Sequence, residues 1–141
     1  MSKVWIMGPC SMESRDFYLS TARELYPIMD GKDWYYKASF DKANRTSLYG
    51  GRGPGLDEAV LAFKEVKQEF PNIKLVTDVH ETAQVEKLAG IIDCIQIPAF
   101  LRRQTDLIVE CAKHFDKMNV KKGQWLGPDN ILKSLDKIKH T

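Results

Sequence analysis

Side chains able to hold anions recur in this chain directly after short apolar runs. Lys37 follows Trp34-Tyr35-Tyr36, Gln96 lies between Ile95 and Ile97, and Lys121 follows Val120. A lysine or amide that extends a covered strand needs an anion, a paired acid or another amide to satisfy it. The segments that follow are polar as well: Ser39 to Arg45, Asp78-Val79-His80-Glu81, Arg102-Arg103-Gln104 and Lys121-Lys122-Gly123-Gln124. Across them, eight basic residues (Lys37, Lys42, Arg45, Arg52, Arg102, Arg103, Lys121 and Lys122) meet four acidic ones (Asp41, Asp78, Glu81 and Asp106). The whole chain carries only +2, so the remainder is slightly acidic. Such a distribution suits small anionic ligands, carboxylates or phosphates, with solvated loop cations as the plainer alternative. Asp78 and His80 could accept sugar hydroxyls or cap the next helix. Ser11 and Ser14 read as helix caps, since no Gly-x-Ser-x-Gly elbow is present.

The elements that must position these residues alternate regularly. Strands are expected over 3–7, 34–37, 73–77, 91–97 and 118–121. Helices are expected from Ser11 or Ser14 to residue 28, over 57–70, from Thr82 to residue 90, from Thr105 to residue 112, and over 128–139. Five strand–helix units in series predict an α/β fold with parallel strands and right-handed crossovers, the strands apolar because both faces are covered. Ligands bind beyond the carboxyl ends of such strands, so the polar clusters are expected on one rim. Gly8-Pro9-Cys10-Ser11 is not a glycine-rich dinucleotide fingerprint.

At 141 residues with 43% hydrophobic content, one soluble domain spanning 1–141 is expected. No run approaches the ~20 apolar residues of a membrane span. Four apolar residues before Gly8-Pro9 are too few for a signal-peptide core, and +2 argues against a nucleic-acid partner. Three cysteines without a C-x-x-C pair suit a reducing compartment, so a cytoplasmic location is expected. Cys94 and Cys111 read as buried hydrophobes, His114 and His140 as solvent-facing, and Cys10 fits neither description.

Gly8-Pro9-Cys10, the run Lys37-Ala38-Ser39-Phe40-Asp41-Lys42-Ala43-Asn44-Arg45, Arg52-Gly53-Pro54-Gly55, Thr77-Asp78-Val79-His80-Glu81, Gln96-Ile97-Pro98-Ala99-Phe100-Leu101, Arg103-Gln104-Thr105-Asp106 and Asn119-Val120-Lys121-Lys122-Gly123-Gln124 occur in that order. Together they resemble the 3-deoxy-D-manno-octulosonate 8-phosphate synthase family of the class I DAHP synthase-like aldolases. The resemblance implies a (β/α)8 barrel that condenses phosphoenolpyruvate with arabinose 5-phosphate, releasing phosphate, and that works as an oligomer. It implies catalytic roles for Lys37, Lys42 and Lys121. Ser39 and Gln96 would join them on phosphoenolpyruvate. Asn44, Arg45, Thr46 (usually serine in the family) and Asp78 would contact the pentose phosphate, and Arg103 would be offered by a neighbouring subunit. Cys10 stands where metal-dependent members place a thiolate ligand for zinc, iron or manganese.

The same resemblance implies eight units where five are legible, since such a barrel takes ~250 residues. Strands six to eight would carry a phosphate-binding arginine and the histidine, glutamate and aspartate of the metal site. The expectation is therefore a partial (β/α)8 barrel. Its alternatives are a synthase completed by a second polypeptide or subunit, and a catalytically incomplete remnant that binds phosphorylated ligands or co-assembles with a full-length synthase.

Overall fold

The computed structural model describes residues 3–141, in two compact units that divide between Thr77 and Asp78. In the first unit, β1 (Trp5–Ser11), α1 (Arg15–Ile28), β2 (Trp34–Ser39), α2 (Leu56–Glu69) and β3 (Leu75–Asp78), whose last residue opens the second unit, follow one another. β2 is paired in parallel with β1 on one side and β3 on the other. The second unit holds a single turn of 3₁₀ helix (Thr82–Gln84) leading into α3 (Val85–Leu88). Then come β4 (Cys94–Ile97), α4 (Thr105–His114), β5 (Met118–Val120) and α5 (Leu132–Lys139). β4 and β5 are parallel partners. This is the expected α/β class, with the element order of five units of a (β/α)8 barrel.

Local chemistry explains the boundaries. Ser14, not Ser11, caps α1: its hydroxyl accepts from the Phe17 N–H at 3.1 Å, with Asp16 in the first turn on the favourable end of the helix dipole. Pro27 has no N–H to offer the preceding turn, and the helix closes at Met29, whose N–H donates to the Leu25 carbonyl. Tyr18 and Ala22 of α1 and Ala59, Ala62, Phe63 and Val66 of α2 are fully buried. The Tyr18 ring stacks on Tyr36 of β2 at 4.6 Å and meets the Phe63 edge at 5.6 Å, while Tyr36 Oη donates to the Tyr18 carbonyl at 2.7 Å. Burial pushes both phenols above their ordinary pKa. Arg15–Glu65 and Arg23–Glu69 link the outer sides of α1 and α2.

In the second unit Leu107, Ile108 and Cys111 form the buried stripe of α4, and every residue of β4 is buried. Cys94 and Cys111 are both buried as expected, and burial pushes the Cys111 thiol up to about 12. His114 and His140 are both exposed as expected, and His114 also bonds Glu110 at 3.1 Å.

Several expectations shift. β1 runs on through Gly8-Pro9 to Ser11 instead of stopping at Met7, by way of a register irregularity between Met7 and Cys10. Residues 91–93 precede β4 and are not strand; the Ile91 and Ile92 N–H groups turn back to the Leu88 carbonyl. Thr82 is not a cap. Glu81 and Gln84 form a reciprocal capping box instead. β1 is largely exposed and β5 only half-buried, contrary to strands covered on both faces. Each has one paired side among the described residues. No described helix is long and apolar enough to cross a membrane.

Candidate functional site

In the first unit a strand irregularity and a tight loop bring four of the predicted side chains together. β1 lies so close to β2 at Gly8 that a Cβ there would overlap the Lys37 carbonyl oxygen and stand 2.9 Å from its carbonyl carbon. Only glycine permits that approach. Two residues on, Cys10 adopts φ +67°, a left-handed conformation unusual for a residue with a side chain. It re-enters the pairing opposite Ala38, and Ser11 lies opposite Ser39. Such backbone irregularity often re-aims side chains at functional positions.

The loop after β2 folds back over the same point. The Lys42 N–H donates to the Arg52 carbonyl at 2.7 Å, and Arg52 Nε donates to Asp41 Oδ1 at 2.7 Å. Gly53, at φ +119°, packs against the Phe40 carbonyl, where a Cβ would stand 3.0 Å from the carbonyl carbon.

The result is a compact cationic cluster. Ser39, 1% exposed at the end of β2, accepts from Lys37 Nζ and from Lys42 Nζ, each at 3.0 Å. Lys42 Nζ also donates to the Cys10 thiol at 3.2 Å. Two ammonium groups thus converge on one small neutral oxygen, an arrangement that favours an added anion. Asn44, Arg45 and Thr46 are exposed on the loop beyond. The Arg45 N–H donates to the Lys42 carbonyl at 3.3 Å.

The second unit presents its own polar groups. Gln96 of β4, 7% exposed, stands in register with Asn119 of β5, whose amide donates to Gln96 Oε1 at 3.1 Å. The buried amide thus finds a partner across the sheet. Lys121, expected to extend a covered strand, is exposed immediately after β5; its N–H donates to the Ile97 carbonyl at 3.0 Å. Asp78 ends β3 almost buried, with His80 Nε2 3.4 Å from Asp78 Oδ2. Because Glu81 takes the capping role, neither Asp78 nor His80 is the helix cap. Arg103 is exposed, and its carbonyl accepts from Lys137 at 3.3 Å.

Sequence reasoning missed Gly8 and Gly53, whose role is backbone proximity, and Asn119, the partner of Gln96. The need of a buried amide for a partner was the available signal for Asn119. It also gave Arg102, which is 5% exposed, no separate role from Arg103. Among the described residues no group of three or more His, Cys, Asp or Glu side chains is placed to hold a metal. Cys10 offers one ligand where catalytic sites generally use three, so the residues described do not by themselves fit a metal ion.

The model of the DAHP synthetase I family matches residues 2–141. A 2-dehydro-3-deoxyphosphooctonate aldolase of Wolinella succinogenes is 50% identical over 134 residues, 94% of this chain and 51% of the relative. Proteins of the same name from Campylobacter jejuni subsp. doylei (45% identical; 98% of this chain, 52% of the relative) and Helicobacter hepaticus (46%; 94% and 49%) also match. The chain spans about half the length of these curated relatives. With the match running through practically all of its residues, the chain belongs to the DAHP synthetase I family.

Proposed function

We propose that this chain carries substrate-binding and catalytic residues of a 3-deoxy-D-manno-octulosonate 8-phosphate synthase, which joins phosphoenolpyruvate to arabinose 5-phosphate and releases phosphate. The observation that carries the proposal is the convergence of Lys37 and Lys42 on Ser39. A carboxylate or phosphate brought to that point would be met by two ammonium groups. Holding the enol carbon in place for attack on an aldehyde is positioning chemistry, able to supply roughly 7–11 kcal/mol of a barrier in favourable cases. The same cations would stabilise negative charge developing on substrate oxygens.

The other assignments stand on the resemblance. Gln96 and Lys121 are given to phosphoenolpyruvate, while Asn44, Arg45, Thr46 and Asp78 are given to the pentose phosphate. Arg103 would be offered to a neighbouring copy, in a homo-oligomer or a complex with a complementing polypeptide. A cytoplasmic location accompanies this reading. Cys10 would be one ligand of a divalent ion, zinc, iron or manganese.

The test is release of phosphate from phosphoenolpyruvate with arabinose 5-phosphate, measured with this chain alone and mixed with a polypeptide matching the other half of a relative. Turnover that is lost in Lys37→Met and Lys42→Met is expected. Silence in both samples would reject the proposal.

A further inference from the structure

The geometry points to a second anion-binding site, in the cleft between the start of α4 and the helix α5, specific for a phosphate-class oxyanion. The cleft has a volume of about 320 Å³, in the range of small-ligand sites, and is lined by Arg102, Arg103, Asn130, Lys133, Ser134 and Lys137. Four of those side chains are cations and none is an acid.

Arg102 is the centre of the argument. Its side chain is 95% buried, yet the one hydrogen bond its guanidinium makes among the described residues is a long one, Nη1 to the Asn130 carbonyl at 3.5 Å. Arg102 Nε is buried with no partner among the described residues. A buried guanidinium N–H left without an acceptor is costly unless an anion accompanies it. The backbone around it is well held, since Ser134 Oγ donates to the Arg102 carbonyl at 3.1 Å. This anchor fixes α5 against the arginine and keeps the cleft's shape.

The helix adds a second, independent argument. α4 begins at Thr105, and Gln104 before it makes no side-chain cap. The amino end of a helix attracts anions, yet Lys137 Nζ sits there, bonded to Thr105 Oγ1 at 2.6 Å and to the Arg103 carbonyl at 3.3 Å. Arg102, Arg103 and Lys137 therefore crowd the positive end of a dipole. Asp106, in the first turn, faces a different depression, with Glu110 and Lys113. An oxyanion in the cleft would accept from the cationic side chains and neutralise this concentration of positive charge.

This cleft shares no residue with the Lys37–Ser39–Lys42 cluster, and titration calorimetry with inorganic phosphate at fixed ionic strength distinguishes the two. The titrations compare the unaltered chain, Arg102→Met, Lys133→Ala/Lys137→Ala, and Lys37→Met/Lys42→Met. Binding heat that survives in Lys37→Met/Lys42→Met is expected, with affinity about tenfold or more weaker in Arg102→Met and in Lys133→Ala/Lys137→Ala. Lys133 is exposed and Lys137 half-buried, both outside the buried core, so the lysine pair answers the question even if Arg102→Met misfolds. Heat unchanged by Lys133→Ala/Lys137→Ala, heat lost only in Lys37→Met/Lys42→Met, or no heat in any sample would overturn the inference.

Discussion

Replacing Gly8 with alanine tests how the first unit places its cationic cluster. The added methyl would overlap the Lys37 carbonyl oxygen and stand 2.9 Å from both its carbonyl carbon and its nitrogen. Carbon atoms in van der Waals contact lie about 3.5–4.0 Å apart, so β1 must retreat from β2 by about 0.6 Å or more. The obstacle is backbone and cannot rotate away. Overpacking of this kind costs about 1–3 kcal/mol, and a rigid partner places Gly8→Ala at the upper end, about 3 kcal/mol. With a urea m-value of about 1–3 kcal/mol/M, the unfolding midpoint should fall by about 1 M or more. Gly51→Ala is the matched control: a Cβ there meets nothing within 4 Å, and no left-handed φ is involved. Its effect should stay within about 0.5 kcal/mol. Urea unfolding followed by tryptophan fluorescence measures both. Equal midpoints for Gly8→Ala and Gly51→Ala would refute the claim that backbone proximity at Lys37 requires a glycine.

Other consequences follow from burial and charge. Cys10 is exposed whereas Cys94 and Cys111 are buried with raised thiol pKa values, so a thiol reagent at pH 8 should modify one cysteine in the native chain and all three in denaturant; rapid native labelling of Cys94 or Cys111 would contradict the packing. The Arg23 guanidinium bonded to Glu69 holds that carboxyl below the ordinary carboxylate range. A depressed folded pKa contributes stability above the unfolded value and loses it as pH falls through the folded value. Arg23→Gln should therefore lower the thermal midpoint slightly at pH 7, with the difference vanishing in acid; a difference that grows in acid would show the wrong sign. Tyr36→Phe removes the donor to the buried Tyr18 carbonyl and should cost about 1–2 kcal/mol in urea unfolding, against no change if that bond is immaterial.

How far the fold was legible depended on the range of the forces involved. The extents of α1, α2 and α4, a serine cap before α1 and the burial of Cys94 and Cys111 follow from local periodicity and composition and stand where expected, whereas α1 buries Tyr18 with Leu19 and Ala22 and leaves Phe17 and Ile28 exposed. The four-residue turn α3 and the delayed start of β4 were harder, because Glu81 and Gln84 satisfy each other and the chain turns through residues 89–93. In the site, Lys37, Ser39 and Lys42 were legible as a basic run after a buried strand. Their convergence depends on Gly8, on Gly53 and on the Asp41–Arg52 pair across the loop, and such tertiary contacts leave no periodic trace. Lys121 was expected to extend a covered strand, but it follows β5, a short, half-buried strand, and is exposed. Arg102 and Arg103 are adjacent and chemically alike; only the packing of α5 buries the first and leaves the second in solvent.

The most direct measurement is the affinity of this chain for phosphoenolpyruvate, by titration calorimetry, compared with that of Lys37→Met and Lys42→Met. Charge-assisted hydrogen bonds contribute about 1.5–3 kcal/mol each, so each substitution should weaken binding about tenfold or more. Unchanged affinity in both variants would contradict the assignment of the lysine pair to the substrate's anionic groups.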